Sequence, residues 1–197
     1  MAMLSPMGDS PEQIAELLRT GQPALTLTDH YSPGQPLPLG LYKGELPDIS
    51  LNEPKWQSRN NRFALAALLQ IEKEVTAAIK RYGADRVGVV IGTSTSGIGD
   101  SEFFLAQRVK TGQLPEGYDY GLQEMGATAA FVARQLKVSG PVFGISTACS
   151  SGSKALASAR RLLRSGLCDA VIAGGVDTLC QLTVQGFSSL EAVSSEL

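Results

Sequence analysis

Apolar positions along this 197-residue chain follow two patterns, a helical spacing and short continuous runs. The helical spacing appears first in "SPEQIAELLRTG" (10–21). Ser10 suits an N-cap, Pro11 fits the first helical position, and Gln13 completes a capping box. Ile14, Leu17 and Leu18 form the predicted apolar face, and Gly21 can take the left-handed conformation that ends the helix. A longer helix is predicted over 58–82, where Phe63, Leu68, Ile71, Val75 and Ile79 recur at helical spacing and Gly83 follows. Two more helices are expected near 101–110 and 121–137.

The continuous runs are "RVGVVIG" (86–92), "PVFGIS" (141–146) and "DAVIAGG" (169–175). Each is bounded by turn residues, the pattern of a strand buried on both faces. Between the second and third lies the helix-forming "SSGSKALASARRLLRSG" (150–166). Strand, helix, strand at this spacing predicts a right-handed βαβ unit in a parallel sheet. The expected fold class is α/β, with a mostly parallel mixed sheet flanked by helices. Segment 22–57 breaks both patterns and holds six of the ten prolines. An irregular stretch of that length is unusual inside a compact domain. It is expected to lie over a neighbouring surface, another subunit's among the options.

Composition narrows the partners. The chain is 43% hydrophobic and 18% charged, with a net charge of -2, so no basic surface invites nucleic acid or membrane. No apolar run approaches the ~18 residues that span a bilayer. The opening "MAMLSPMGDSPEQ" lacks the basic-then-apolar order of a secretion signal. Cys149, Cys168 and Cys180 are odd in number and form no C-x-x-C pair, which argues against a disulfide framework or a zinc site. The expectation is a cytoplasmic protein with free thiols, needing no metal and no cofactor.

The candidate chemistry sits in "GISTACSSGSK" (144–154). Cys149 falls where a strand turns into a helix, so helix amides would favour a thiolate and could donate to the oxygen of a carbonyl under attack. Small neighbours (Ala148, Ser150, Ser151, Gly152) leave room for a substrate, which suits acyl transfer through a thioester. Burial as a small packing residue is the competing reading, and the residues alone leave both open. The "TSTSG" loop, Thr93, Ser94, Thr95, Ser96 and Gly97, lies at the carboxyl end of strand 86–92, where open α/β sheets bind ligands. Cys168 and Cys180 read as structural. His30, the single histidine, reads as a loop residue, so no base for Cys149 is evident. "SGSK" (151–154) and "KTG" (110–112) occur in the wrong order for a penicillin-binding protein.

The stretches T-A-C-S-S-G, A-L-A-x-A-x-x-L-L, D-A-V-I-A-G-G-V-D and G-F-S-S-L-E-A together resemble the β-ketoacyl-acyl-carrier-protein synthases, on the thiolase-like fold. "SRNNRFALAALLQ", "GTSTSGIGD" and "LSPMGDSPEQIAELLRTG" resemble earlier landmarks, so the likeness runs along nearly the whole chain. The subtype it most resembles is the specialised stand-alone synthases, including those of aryl-polyene-type pathways. The resemblance implies Cys149 as acyl-accepting nucleophile in a decarboxylative condensation with malonyl carrier protein. It implies a substrate-binding role for the 93–97 loop, and acyl carrier protein as a partner, met by Arg59 and Arg62. It also implies a homodimer or a heterodimer with another ketosynthase-like chain. Family members carry two histidines and a lysine in a second half, absent here. Residues 1–197 are therefore expected to be an incomplete N-terminal domain with its first strand clipped, inactive alone, and with a large apolar sheet face exposed. The alternatives are a non-catalytic partner subunit of a ketosynthase heterodimer, or a thiolase using coenzyme A thioesters.

Overall fold

Helix α1 (Pro11–Thr20) forms where the capping signal falls, in a computed structural model that describes residues 1–51, 53–194 and 196. Ser10 Oγ accepts from the Gln13 amide at 3.2 Å, and Gly21 closes the helix at φ 65°. The Gln13 side chain reaches the amide of Asp9 instead of Ser10, one residue further out than a capping box places it. Leu18, assigned to the apolar face, is exposed.

Segment 22–57 contains a small antiparallel hairpin, β1 (Thr26–Thr28) with β2 (Leu37–Leu39), pairing Thr26 with Leu39. Leu37 and Leu39 are buried with Val184 and packed by Tyr31, Leu41, Leu179 and Val193. The hairpin thus covers residues of its own chain.

The predicted helix over 58–82 is two helices, α2 (Arg59–Gln70) and α3 (Glu72–Tyr82). They meet at Ile71 (φ −119°, ψ 19°), which ends one and precedes the other. Leu68 and Val75 still bury into one core, so the break leaves the apolar spacing intact. Strand β3 (Val87–Gly92) follows, then α4 (Ile98–Thr111), which starts three residues earlier than expected, and α5 (Ala127–Leu136). The chain continues through β4 (Val142–Ile145), α6 (Ser151–Arg164) and β5 (Ala170–Gly175). Helix α7 (Gln181–Ser189), which the apolar pattern does not predict, comes last.

The three longer strands form a wholly parallel sheet in the order β4–β3–β5. All six residues of β3 are buried, whereas β4 and β5 are edges and only partly covered, contrary to the expectation that all three are buried on both faces. Val87, Val89 and Ile91 point to one face, packing with Leu68, Val75, Ala129, Phe131 and Val132. Each such side chain, fully buried, contributes roughly 1.5–3 kcal/mol. On the other face α6 buries Ala155 and Ala159, four residues apart. Helices therefore lie on both faces of the sheet, and among the described residues the central strand β3 shows no bare apolar face, contrary to the expectation of a large exposed one. Exposed apolar side chains lie instead on α6 (Leu156, Leu163) and at the β4 edge (Phe143).

At the amino end of the sheet, Arg86 donates to Asp169 Oδ2 at 2.7 Å and to the Gly166 and Leu167 carbonyls. This fastens the turn between α6 and β5. Among the described residues, no helix is long and apolar enough to cross a membrane.

Candidate active site

The register of the sheet brings three strand ends together. Gly92 pairs with Ile145 on one side and Gly175 on the other, so Thr93, the turn after β4 and the residues after β5 share one end. Helix α6 starts directly above them. A Cβ on Gly92 would lie 2.5 Å from the Ser151 backbone carbon and oxygen, and one on Gly175 3.3 Å from Gly152 Cα. Glycine at these strand ends is what lets the helix amino terminus sit so close to the sheet.

Between β4 and α6 the chain turns sharply, and Ala148 takes φ 54°, a left-handed conformation that is unfavourable for a residue with a Cβ. The turn is held by its own polar atoms. The Ser150 and Ser151 amides donate to the Thr147 and Ala148 carbonyls (3.4 and 3.0 Å). Ser151 Oγ accepts from the Thr147 amide at 2.9 Å and donates to the Ala148 carbonyl at 2.7 Å. Two of the amides expected to activate Cys149 are therefore committed to shaping the turn. Cys149 itself is exposed, whereas Cys168 and Cys180 are buried. Burial pushes the Cys168 thiol up, which keeps it protonated, and Cys180 Sγ lies 3.2 Å from Thr183 Oγ1 at the start of α7. Both fit structural roles.

Cys149 lies on the wall of a cavity of about 1030 Å³. Its apolar lining includes Leu41, Phe63, Val176, Leu179, Phe187 and Val193. A cavity at the upper end of the usual ligand-pocket range, apolar and bordered by a thiol, has room for an extended apolar ligand beside the sulfur.

Of the five loop residues, only Ser94 and Thr95 line this cavity. Thr93 is fully buried, and its Oγ1 accepts from the Ser96 amide at 2.9 Å and donates to Asp177 Oδ1 at 3.0 Å. Ser96 (φ 44°) donates through Oγ to the Glu124 carbonyl, and the Gly97 amide donates to the Leu122 carbonyl. Thr93, Ser96 and Gly97 thus hold the loop, while Ser94 and Thr95 present it.

Arg59 and Arg62 occupy different settings on α2. Arg59 lines the cavity, its guanidinium 5.2 Å from the centroid of the Phe63 ring. Its backbone amide donates to Asp100 Oδ2 at 2.9 Å. Burial pushes the Asp100 carboxyl up, partly offset by that amide and the Arg59 charge. Burial likewise pushes the Tyr31 phenol up, against the opposing pull of Arg59. Arg62 donates to the Pro47 and Leu46 carbonyls at 2.9 and 3.0 Å, binding the extended segment to α2.

Sequence reasoning missed Asp177. Its Oδ1 accepts from Thr93 Oγ1, the Ser94 amide (2.7 Å), the Thr95 amide (3.1 Å) and Thr95 Oγ1 (2.9 Å). The available signal was positional: Asp177 follows β5 as Thr93 follows β3. His30 is exposed, its amide on Thr28 Oγ1 and its ring edge-on to Tyr31.

Comparison with known proteins agrees with this geometry. The family model described as beta-ketoacyl synthase, N-terminal domain, matches residues 1–196. The 3-oxoacyl-[acyl-carrier-protein] synthase 2 of Vibrio cholerae is 28% identical over 208 residues, covering 99% of this chain and 49% of that protein. Nodulation protein E of Rhizobium meliloti is 28% identical over 155 residues, 77% of this chain and 38% of that protein. Among solved structures, a chain of the complex between the ketosynthase ApeO and its chain length factor ApeC from Xenorhabdus doucetiae is 41% identical, with a TM-score of 0.91. That match covers 100% of this chain and 50% of the other. A β-ketoacyl synthase from Burkholderia phymatum shares the fold at a TM-score of 0.80 and 21% identity, covering 99% of this chain and 50% of that one. The chain thus spans half or less of the length of these relatives. With its thiolase-like α/β architecture and a family match from residue 1 to 196, the chain belongs to the β-ketoacyl synthase family, matching its N-terminal domain.

Proposed function

We propose that this chain supplies the acyl-accepting cysteine of a ketosynthase acting in fatty acid or polyketide synthesis, of which an aryl-polyene-type pathway is one form. The observation that carries the reading is the placement of Cys149, exposed on a strained turn at the wall of a large apolar cavity. The Cys149 thiolate attacks the carbonyl of an acyl group held as a thioester on acyl carrier protein. The new carbon–sulfur bond forms as the bond to the carrier thiol breaks, and that thiol leaves with a proton. In the condensation that follows, malonyl carrier protein loses carbon dioxide and its carbanion attacks the acyl-cysteine carbonyl, releasing the Cys149 thiolate.

The second step needs groups to stabilise the enolate and the oxyanion. Among the described residues lining the cavity there is neither histidine nor lysine. On this reading those groups are supplied by residues other than the ones lining the cavity, and the working unit is a cytoplasmic pairing of ketosynthase-like subunits served by acyl carrier protein. A chain-length-setting partner subunit is the second reading, because the ApeO–ApeC complex contains both kinds of protein. The accessible Cys149 thiol favours the catalytic subunit.

Incubation with acyl carrier protein, followed by intact-mass analysis, tests the proposal. Wild type should gain one acyl group, Cys149→Ala none, and the 197-residue chain alone should release no ketoacyl product. No adduct on folded wild type would reject the nucleophile.

A further inference from the structure

We propose that Asp177 is a positioning residue for Cys149, acting through Ser94 on the turn that carries the thiol. The inference rests on the ketosynthase reading only for its acylation readout. Four donors from three consecutive residues converge on Asp177 Oδ1, two of them backbone amides. The Thr178 amide also donates to Thr95 Oγ1 at 3.1 Å, so both partners of this contact are fixed from the β5 side. The effect is to pin Ser94, the one residue of the loop that reaches the turn. Ser94 Oγ lies 3.3 Å from the Ala148 carbonyl and 3.3 Å from Ser151 Oγ. Its single proton can serve either oxygen. Both belong to the bonds that hold Ala148 in its left-handed conformation.

A continuous path therefore runs from the end of β5, through the end of β3, to the end of β4. Its members are Asp177, Ser94, then Ala148 and Ser151, then Cys149. A left-handed alanine persists only where its surroundings over-determine it. Removing the anchor lets the turn relax, and a displacement near 1 Å at a reacting atom can cost about 100-fold in rate.

The test uses the complete protein that carries these residues, with single-turnover acylation of Cys149 and its alkylation by iodoacetamide as two readouts. Asp177→Ala should slow acylation by about 10- to 100-fold at saturating acyl carrier protein, with KM changed less than about threefold. Asp177→Asn keeps an acceptor oxygen at Oδ1 and should restore the rate to within about threefold of wild type. Ser94→Ala leaves the amide bonds to Asp177 in place, so it keeps the wild-type melting temperature, yet it should also slow acylation, by about 5- to 20-fold. The double variant Asp177→Ala/Ser94→Ala should be no slower than Asp177→Ala, because both cut one path. Wild-type acylation rates in Ser94→Ala, or losses that multiply in the double variant, would overturn the inference. If Asp177→Ala fails to fold, the Asp177→Asn and Ser94→Ala arms decide it. If wild type takes no acyl group, the ketosynthase reading fails instead, and slowed alkylation in the variants still supports the positioning role, while unchanged alkylation rejects it.

Discussion

The turn that carries Cys149 and the wall of the cavity beside it are held together by opposite means. The turn is a knot of short polar contacts among Thr147, Ala148, Ser150, Ser151 and Ser94, with glycines beneath it. The wall is apolar: the β1–β2 hairpin lies against Val184 of α7 through Leu37 and Leu39, with no ladder beyond three paired residues. Directional bonds fix an atom to a fraction of an ångström, which the role proposed for Cys149 requires. Apolar packing fixes a volume and leaves its detailed shape adjustable, which the proposed acyl pocket can use.

This contrast is broken most forcefully at Gly92. A Cβ there meets the Ser151 backbone at 2.5 Å, and backbone cannot swing aside as a side-chain tip can. Gly92→Ala should displace the start of α6, lowering Cys149 acylation at least about 100-fold and stability by roughly 1–3 kcal/mol. Intact-mass kinetics and a denaturant melt read the two effects. Wild-type acylation would mean that α6 need not sit so close to β3.

The wall should respond in the other currency. Leu37 is buried in the hairpin cluster but does not line the cavity. Leu37→Ala should cost about 2–3 kcal/mol of stability, in line with large-to-small core changes. Acylation of the protein that remains folded should stay within about threefold. A collapse of acylation without loss of stability would show that the wall positions the thiol as well.

The same division explains what the sequence revealed. The positions of Cys149 and the 93–97 loop at strand ends were legible because strand-end small residues carry a local signature, and β3 was legible as a continuous apolar run. The cavity wall was not. Pro38 sits inside β2, which is tolerable because each strand of a two-stranded ribbon has a free edge, and it disguises the strand. Helix α7 is preceded by Cys180 at the N-cap, which provides no side-chain cap; the amides of Gln181 and Leu182 are met at 2.9 and 2.7 Å by Glu102 of α4. A cap supplied from about 80 residues away leaves no local trace. Asp177 was missed for a related reason, since its partners become neighbours only once the strand register is known. The break at Ile71 has no glycine or proline to announce it.

Arg59 sharpens the comparison at the rim, where the polar and apolar regions meet. Its guanidinium lies over the Phe63 ring, whereas that of Arg62 is committed to the Leu46 and Pro47 carbonyls. Arg62→Glu would therefore loosen segment 44–51 as well as reverse a charge. Arg59→Glu is the cleaner probe of carrier-protein docking. It should weaken binding by roughly 3- to 10-fold at low salt and flatten the salt dependence, measured by titration calorimetry. Unchanged binding across the salt series would remove Arg59 from the docking surface.

The smallest effect is expected at Asp100 of α4, whose part-buried carboxyl accepts from the Arg59 amide at the amino end of α2. Burial raises its pKa above the ordinary carboxylate value, so the folded state favours the protonated form more than the unfolded state does. The sign follows. Relative to a neutral side chain, Asp100 is least costly below its unfolded pKa of about 3.9, and its cost grows as pH rises through the elevated folded value. Asp100→Asn keeps the acceptor for the Arg59 amide and removes the charge. It should therefore be slightly more stable than wild type at pH 7, with the advantage vanishing as the pH falls below about 4. Paired denaturant melts from pH 3.5 to pH 7.5 measure it. An Asn variant that is less stable at neutral pH would show that the charge on Asp100, facing the amino end of α2 and Arg59, is worth more there than its burial costs.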